Sequence, residues 1–206
     1  MPTTVSDVFA AVDLVPRDAV PWGVRVPEPH PGVYVVALTK AVDLTDAARV
    51  QAPISEAALE ELLDARPELR LDDEVPDAAA LRRRLAAFWM PDEVIVYIGL
   101  AGTSLQKRVE QYVRTPLGAR SPHAGGWPLK TLSVLDDIYV HVAACGDVDT
   151  TERTMLKAFA NGISERARKH LHDPVRLMPF ANLEAPRGNR KAHGITGARA
   201  PRRKAE

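Results

Sequence analysis

Three short apolar segments limit what this chain can fold into. They lie at residues 31–38, 94–99 and 137–145, and each is rich in β-branched or aromatic residues, a composition typical of strands. We expect residues 32–38 and 94–99 to pair antiparallel, with the third strand beside them. The pattern predicts an α+β domain with a small three-stranded antiparallel sheet flanked by helices.

Helical periodicity fills the long interval between the first two strands. Ser55 is placed to cap one helix, and residues 76–89 carry leucine and aromatic side chains on one stripe. Trp89 ends that stripe and is expected in the core. We interpret residues 41–90 as a helical insert.

Two further helices are predicted after the second and third strands. One begins near Ser104, with Thr103 and Gln106 at capping-box spacing. The other covers residues 150–171, with Thr150 or Thr151 as its cap.

The composition narrows the class of protein. Apolar residues make up 46% of the chain, which is ordinary for a globular domain. No segment approaches the roughly 20 apolar residues of a transmembrane helix, and the N-terminus lacks the basic region of a signal peptide. The single cysteine, Cys145, excludes an internal disulfide. We expect a cytoplasmic protein that does not enter the membrane.

The net charge of zero conceals an uneven distribution of acidic and basic residues along the chain. Residues 41–80 carry eleven acidic and three basic side chains, whereas residues 187–206 carry seven Arg or Lys and one Glu. Such blocks are typical either of solvated surface or of an arm that binds a polyanion. The predicted organisation is an irregular N-terminal extension (1–30), a domain (31–184) and a basic C-terminal tail (185–206).

Several polar side chains occupy unusual positions. Tyr34 and Tyr97 lie on the first two strands, and Arg108 shares a helix face with Tyr112. Glu152 lies on the same helix face as an apolar stripe, where a carboxylate is unfavourable unless it is paired or binds a metal. Each also has a purely structural interpretation: packed tyrosines, an arginine extending off an apolar face, and a glutamate that suits a helix N-terminus.

In combination these residues resemble the GIY-YIG nuclease superfamily. Its two half-motifs correspond to Gly32-Val33-Tyr34 and Tyr97-Ile98-Gly99, and its helix arginine to Arg108. Tyr112, Glu152 and Asn182 follow in the family's order, although Asn189 competes with Asn182 for the last position. The end of the chain is similar to the restriction-endonuclease branch, but the long insert between the half-motifs departs from compact members.

The resemblance implies a GIY-YIG fold and a metal-dependent DNA endonuclease. Glu152 would bind one Mg²⁺ or Mn²⁺, Tyr34 would be the general base, and Arg108 would hold the scissile phosphate. Tyr97 and Tyr112 would order the attacking water, and Asn182 would support the geometry from outside. Backbone phosphates would be contacted by a set of basic residues: Lys107, Arg114, Arg120, Lys130, Arg187, Arg190 and Lys191.

Three functions remain open from the sequence. The first is an endonuclease of restriction or defence type, for which a homodimer is one way to cut both strands. The second is a catalytically inactive nucleic-acid-binding module. The third is an interaction protein whose acidic helical insert binds a protein partner.

Overall fold

The computed structural model describes residues 2–123, 126–184 and 188–201. The helices of these residues are α1 (Val5–Ala10), α2 (Glu56–Ala65), α3 (Ala78–Ala86), α4 (Leu105–Arg114), α5 (Val148–Gly162) and α6 (Glu165–His170). The strands are β1 (Val20–Pro21), β2 (Gly32–Ala37), β3 (Arg70–Leu71), β4 (Ile95–Ala101), β5 (Tyr139–Ala144) and β6 (Ile195–Thr196). In this part of the chain, no helix has both the length and the apolar composition needed to span a membrane.

The central strand of the main sheet is β2. It pairs antiparallel with β4 on one side and with β5 on the other. All six residues of β2 are buried, so both faces of the strand are covered. The α+β class and the antiparallel pairing of the three predicted strands are therefore confirmed.

The sheet has four strands in the order β1–β5–β2–β4, and not three. The additional strand, β1, pairs Val20 with Val140 and Pro21 with Tyr139. A two-residue edge strand that contains proline shows no alternating pattern, which is why the sequence did not indicate it.

Residues 2–30, expected to be irregular, contain regular structure and support the site. Helix α1 packs against α5 and buries Phe9 completely. The carbonyls of Glu28 and His30 accept hydrogen bonds from the backbone N–H groups of Gln106 (2.9 Å) and Leu105 (3.0 Å). Since the first N–H groups of a helix lack partners within it, this segment fixes the start of α4.

The insert forms a helical pair that contributes to the main core. Helices α2 and α3 pack together, and Ser55 caps α2 as predicted, accepting from the N–H of Ala58 at 3.2 Å. Trp89 is buried, as expected, and its indole N–H donates to the carbonyl of Arg49 (2.7 Å).

The C-terminal segment is attached to the insert. Strand β6 pairs with β3, joining Arg70 to Thr196 and Leu71 to Ile195. Ile195 is buried, so this part of the predicted tail is packed structure.

Helix α4 begins near Ser104 as predicted, but the two predicted helix caps are wrong. The cap of α4 is Ser104, and that of α5 is Asp147. Both side chains accept a backbone N–H three residues later, at 3.3 Å for Ser104 and 3.2 Å for Asp147. In each case the cap lies where the chain enters the helix from a non-helical backbone, which the sequence spacing did not fix by itself.

The helix predicted over residues 150–171 is two helices. The first of them, α5, ends at Gly162. The hydroxyl of Ser164 caps the second, α6, by accepting the N–H of Ala167 (3.0 Å). A serine in extended backbone offers a hydrogen-bond acceptor to the first N–H groups of the new helix, so the chain changes direction at Ser164.

Gly99 provides the space in which two tyrosine rings meet. It lies opposite Tyr34 in the β2–β4 pair. A Cβ atom at Gly99 would come within 2.8 Å of the Tyr34 ring and 2.6 Å of the Tyr97 ring. Neither ring can keep its position if this residue carries a side chain.

We expect Gly99→Ala to lower the free energy of unfolding by ~1–3 kcal/mol, because overpacking displaces the two rings. The melting temperature should fall by about 2–4 °C for each kcal/mol. Gly102→Ala is the matched control, since a Cβ there meets no atom within 4 Å. Equal melting temperatures of the two variants would contradict this account of Gly99.

Candidate active site

Tyr34 and Tyr97 lie on the same face of the sheet. Tyr97 pairs with Val36 across the β2–β4 ladder, two positions from Tyr34, so the two side chains point the same way. Their ring centroids are 5.7 Å apart. The two half-motifs are thus brought together by strand register.

Helix α4 brings a third tyrosine to this face. The Tyr112 ring lies 5.2 Å from that of Tyr97, and its hydroxyl donates to the carbonyl of Gly126 (2.5 Å). The edge of Trp22 packs against the same ring, at 5.1 Å. Tyr112 is therefore fixed by contacts on several sides.

A histidine, His123, also contacts these tyrosines, and no pattern in the sequence indicated it. Its ring stacks on Tyr112 at 4.1 Å with an angle of 4° between the planes. Its Nε2 lies 3.5 Å from the Tyr34 hydroxyl oxygen, and its backbone N–H donates to the hydroxyl of Thr115 (3.0 Å). We call Tyr34, Tyr97, Tyr112 and His123 the tyrosine cluster. A lone histidine in a Gly- and Pro-rich loop has no spacing that would have revealed it.

Burial controls the protonation of the three phenols. It raises the pKa of Tyr34 and of Tyr112 well above the ordinary value, and that of Tyr97 to about 12. The neighbouring phenols raise the pKa of Tyr34 further, whereas the positive charge of Arg108 lowers the pKa of all three. The three side chains are neutral at physiological pH, and Arg108 is a described cation that favours the ionisation of all three.

Glu152 lies in the first turns of α5, close enough to influence the cluster. Its negative charge raises the pKa of Tyr97. Burial and the charge of Asp149 raise the pKa of Glu152 itself to about 7, and Arg108 opposes them. Among the described residues, no cation lies within 4 Å of the Glu152 carboxylate. Glu152 is therefore a half-buried acid that has no ion-pair partner among the described residues.

Asn182 is buried against the outer edge of β4. Its side-chain oxygen accepts the N–H of Ile98 (2.9 Å), and its amide nitrogen donates to the Ile98 carbonyl (2.7 Å). The side chain therefore acts as a further strand residue at this edge, next to the N–H of Ala181, which donates to the Val96 carbonyl (2.9 Å). It holds the strand that carries Tyr97.

Four of the basic residues selected from the sequence are exposed or half-buried, and one of them, Arg120, donates to the carbonyl of Ala200 (3.3 Å). Lys107 and Arg114 are exposed on α4, and Arg114 forms an ion pair with Glu110 (2.8 Å). Arg190 is exposed and Arg120 is half-buried. Arg187 lies outside the described residues.

Lys130, predicted to contact nucleic acid, is half-buried and makes its hydrogen bonds within the protein. Its ammonium donates to the carbonyls of Val113 (3.1 Å) and Thr115, at the end of α4. Burial lowers its pKa to about 8. A cation is favourable at a helix C-terminus, and this one is used inside the protein.

Lys191 is likewise not a nucleic-acid contact. It is buried, and its ammonium donates to the carbonyls of Pro179 and Phe180, both at 2.8 Å. The ammonium also lies over the Phe88 ring, and burial lowers its pKa to about 7. The cluster of basic residues in the sequence suggested that Lys191 lies on the surface. Instead, its hydrogen bonds hold the segment that carries Asn182.

The site offers little to a metal ion besides Glu152. No group of three or more His, Cys, Asp or Glu side chains within the described ranges could hold one. A carboxylate oxygen suits Mg²⁺, which retains several waters and needs few protein ligands. An acid with a raised pKa and no nearby counter-ion fits that role, because a bound cation would favour its charged form.

Comparison of the chain with protein-family models, with curated proteins and with solved structures gives no match.

We expect Glu152→Gln to be more stable than the unmodified protein at pH 8 but not at pH 4. The folded carboxyl retains its proton up to about pH 7, whereas the unfolded one loses it near 4.5, so stability falls as pH rises through this window. Glutamine does not titrate, so Glu152→Gln removes this pH-dependent loss of stability. Thermal unfolding from pH 4 to 8 measures it, with Glu165→Gln as the exposed control.

The same experiment tests the metal. Mg²⁺ should raise the melting temperature of the unmodified protein at pH 8, since a ligand of the folded state stabilises it. It should not raise that of Glu152→Gln. An equal increase in both proteins would exclude Glu152 as the ligand.

Proposed function

We propose that this protein is a metal-dependent DNA endonuclease that hydrolyses phosphodiester bonds, with the fold and site of the GIY-YIG superfamily. The observation that carries the proposal is the convergence of Tyr34, Tyr97 and Tyr112 with Arg108 and Glu152. The residues of the sequence resemblance come from two strands and two helices and influence one another's pKa.

Tyr34 is the general base of the proposed reaction. As the phenolate, Tyr34 accepts a proton from the water that attacks the phosphorus. The bond from phosphorus to the 3′ oxygen breaks, and the 3′ oxygen takes a proton from solvent and leaves as a hydroxyl group. The raised pKa of Tyr34 means that its phenolate must be favoured by positive charge when substrate is bound. Arg108 supplies such charge and presents a planar donor pair to the phosphate.

A divalent cation held by Glu152 would neutralise charge on the phosphoryl oxygens and on the leaving oxygen. Glu152 is suited to holding it because no protein cation competes for the carboxylate among the described residues. Tyr97 and Tyr112 orient the attacking water through their hydroxyl groups, and Asn182 keeps β4 in register.

His123 is added to the proposed machinery. Its Nε2 is the nearest ring nitrogen to the Tyr34 hydroxyl, at 3.5 Å. At that position it can receive the proton that Tyr34 takes from water, or hold the phenol in the orientation for attack. Its stacking on Tyr112 prevents the ring from turning away.

A catalytically inactive nucleic-acid-binding module is the alternative. It would have no use for a half-buried carboxylate whose raised pKa reduces stability at neutral pH. The retained Glu152 therefore favours the enzyme. Restriction or defence against foreign DNA is the role we propose for it, in the cytoplasm.

Cleavage of supercoiled plasmid with Mg²⁺ or Mn²⁺ tests the function directly. Tyr34→Phe should lower the rate by about 10²–10⁴, the range for loss of a general base, and Glu152→Ala should leave no product above an EDTA control. Tyr139→Phe and Glu165→Ala are matched controls outside the site and should cut normally. Unaltered turnover by either site variant would refute the scheme, and retardation of DNA without cleavage would favour the binding module.

His123→Ala should lower kcat about 10²-fold or more while KM changes little, because the ring contacts Tyr34. Loss of a buried ring that stacks on Tyr112 should also lower the melting temperature. His170→Ala, exposed on α6, is the control. An effect confined to KM would show that His123 contributes only to binding.

A further inference from the structure

A second concave site lies beside the tyrosine cluster. It is a cavity of about 240 Å³ between the loop after α4 and the C-terminal segment, residues 188–201. Its wall includes Arg120, Arg190, Arg199, His193 and Trp127. We call it the arginine pocket.

The C-terminal segment is held in place where it forms the pocket. Arg66 donates through Nε to the carbonyl of Gly197 (3.2 Å) and through a terminal nitrogen to that of Arg199 (3.2 Å). The N–H of Ala200 donates to the carbonyl of Gly118 (3.0 Å). With the β3–β6 pair, these bonds fix the backbone on both sides of Ala198.

The pocket concentrates positive charge. Arg120 and Arg190 are close enough to Arg199 to lower its pKa, together with burial, and Glu184 is the carboxylate that opposes them. No acidic side chain of the described residues lies within 4 Å of the guanidinium of Arg120 or Arg190. Like charges held together in a cavity are unfavourable unless an anion joins them.

The fourth basic group of the pocket is neutral. Burial and the surrounding cations lower the pKa of His193 to about 4, and its Nδ1 accepts the N–H of Ile195 (2.9 Å). The arginines therefore define the charge of the pocket at physiological pH, and the histidine contributes a hydrogen-bonding wall.

We propose that the arginine pocket binds a phosphate group of a nucleic-acid strand, through Arg120, Arg190 and Arg199. Arginine forks match the oxygens of a phosphate and bind two of them at once. The cavity is smaller than the roughly 300–1,000 Å³ of pockets for drug-sized ligands, which suits a phosphate better than a whole nucleoside. That the phosphate belongs to a nucleic acid rests on the proposed function.

The position of the pocket relates it to the site of cleavage. Trp127 lines the pocket and follows Gly126, whose carbonyl accepts the Tyr112 hydroxyl. The two sites thus lie on either side of one short piece of backbone. A phosphate anchored in the pocket would position a strand next to the tyrosine cluster without reading its sequence.

The first test uses inorganic phosphate and the full-length ¹⁵N-labelled protein. Phosphate, against chloride at equal ionic strength, should shift the Trp127 indole N–H signal in a saturable way. Arg190→Gln should abolish the saturation; its side chain is exposed, so the variant should fold, and the melting temperature checks this. Arg166→Gln, an exposed arginine on α6, should behave like the unmodified protein. A shift that does not saturate, or that Arg190→Gln retains, would overturn the pocket.

The second test uses short oligonucleotides as competitors of the phosphate shift. Equal competition by 5′-hydroxyl and 5′-phosphate oligonucleotides identifies an internal phosphate as the ligand, and competition by the phosphorylated one alone identifies a strand end. Competition by neither would overturn the assignment to nucleic acid.

DNA binding separates this proposal from the nuclease. Arg190→Gln should reduce by about 1 the slope of log Kobs against log salt, whereas Arg166→Gln should leave both the slope and the cleavage rate unchanged. Normal cleavage by Arg190→Gln with an unchanged slope would refute the pocket and leave the nuclease intact. Saturable phosphate binding by a protein that never cuts would refute the nuclease and leave the pocket intact.

Discussion

The pairing of β2 with both of its neighbours is the constraint on which the rest of the structure depends. A strand that is bonded on both edges and buried on both faces cannot shift by one residue without moving every side chain to the opposite face and disrupting the packing on both. That fixed register sets Tyr34 opposite Gly99, and the missing side chain leaves the space for the Tyr97 ring. Helix α4 then adds Tyr112, because the carbonyls of Glu28 and His30 determine where the helix begins.

The site is assembled at a loss of stability. Glu152 is held where its charged form is disfavoured, which lowers stability at neutral pH. The three buried phenols beside it are neutral there, and their charged forms are disfavoured too. Arg108 is the cation that moderates both effects, although it forms no ion pair with Glu152. Such groups are common where a protein prepares a position for charge that arrives with its ligands. The surrounding packing, from Trp22 to the ring of His123, keeps them from separating.

The strands and helices of the centre could be predicted because local patterns and tertiary packing agree there. The elements that the sequence did not indicate include α1, β1, β3 and β6. All are short, and each of these two-residue strands is defined only by its partner. His123 was not predicted because its role depends on a loop that folds back over α4. Lys130 and Lys191 were misinterpreted for a related reason: charge alone does not reveal which carbonyls a lysine will meet. The positions of Tyr34, Tyr97, Arg108 and Glu152 were found in sequence, while the roles assigned to them remain proposals.

The β3–β6 pair has a consequence for how the molecule opens. It joins residues near 70 to residues near 195, so forming it closes most of the chain into a loop for only four paired residues. Such a junction is weak compared with the main sheet and can separate while β2 and its neighbours stay folded. Opening it would move Arg199 away from Arg120 and dismantle the arginine pocket, with the tyrosine cluster intact. A nucleic-acid strand bound in the pocket would oppose that local opening, so substrate would stabilise the contact between the insert and the end of the chain.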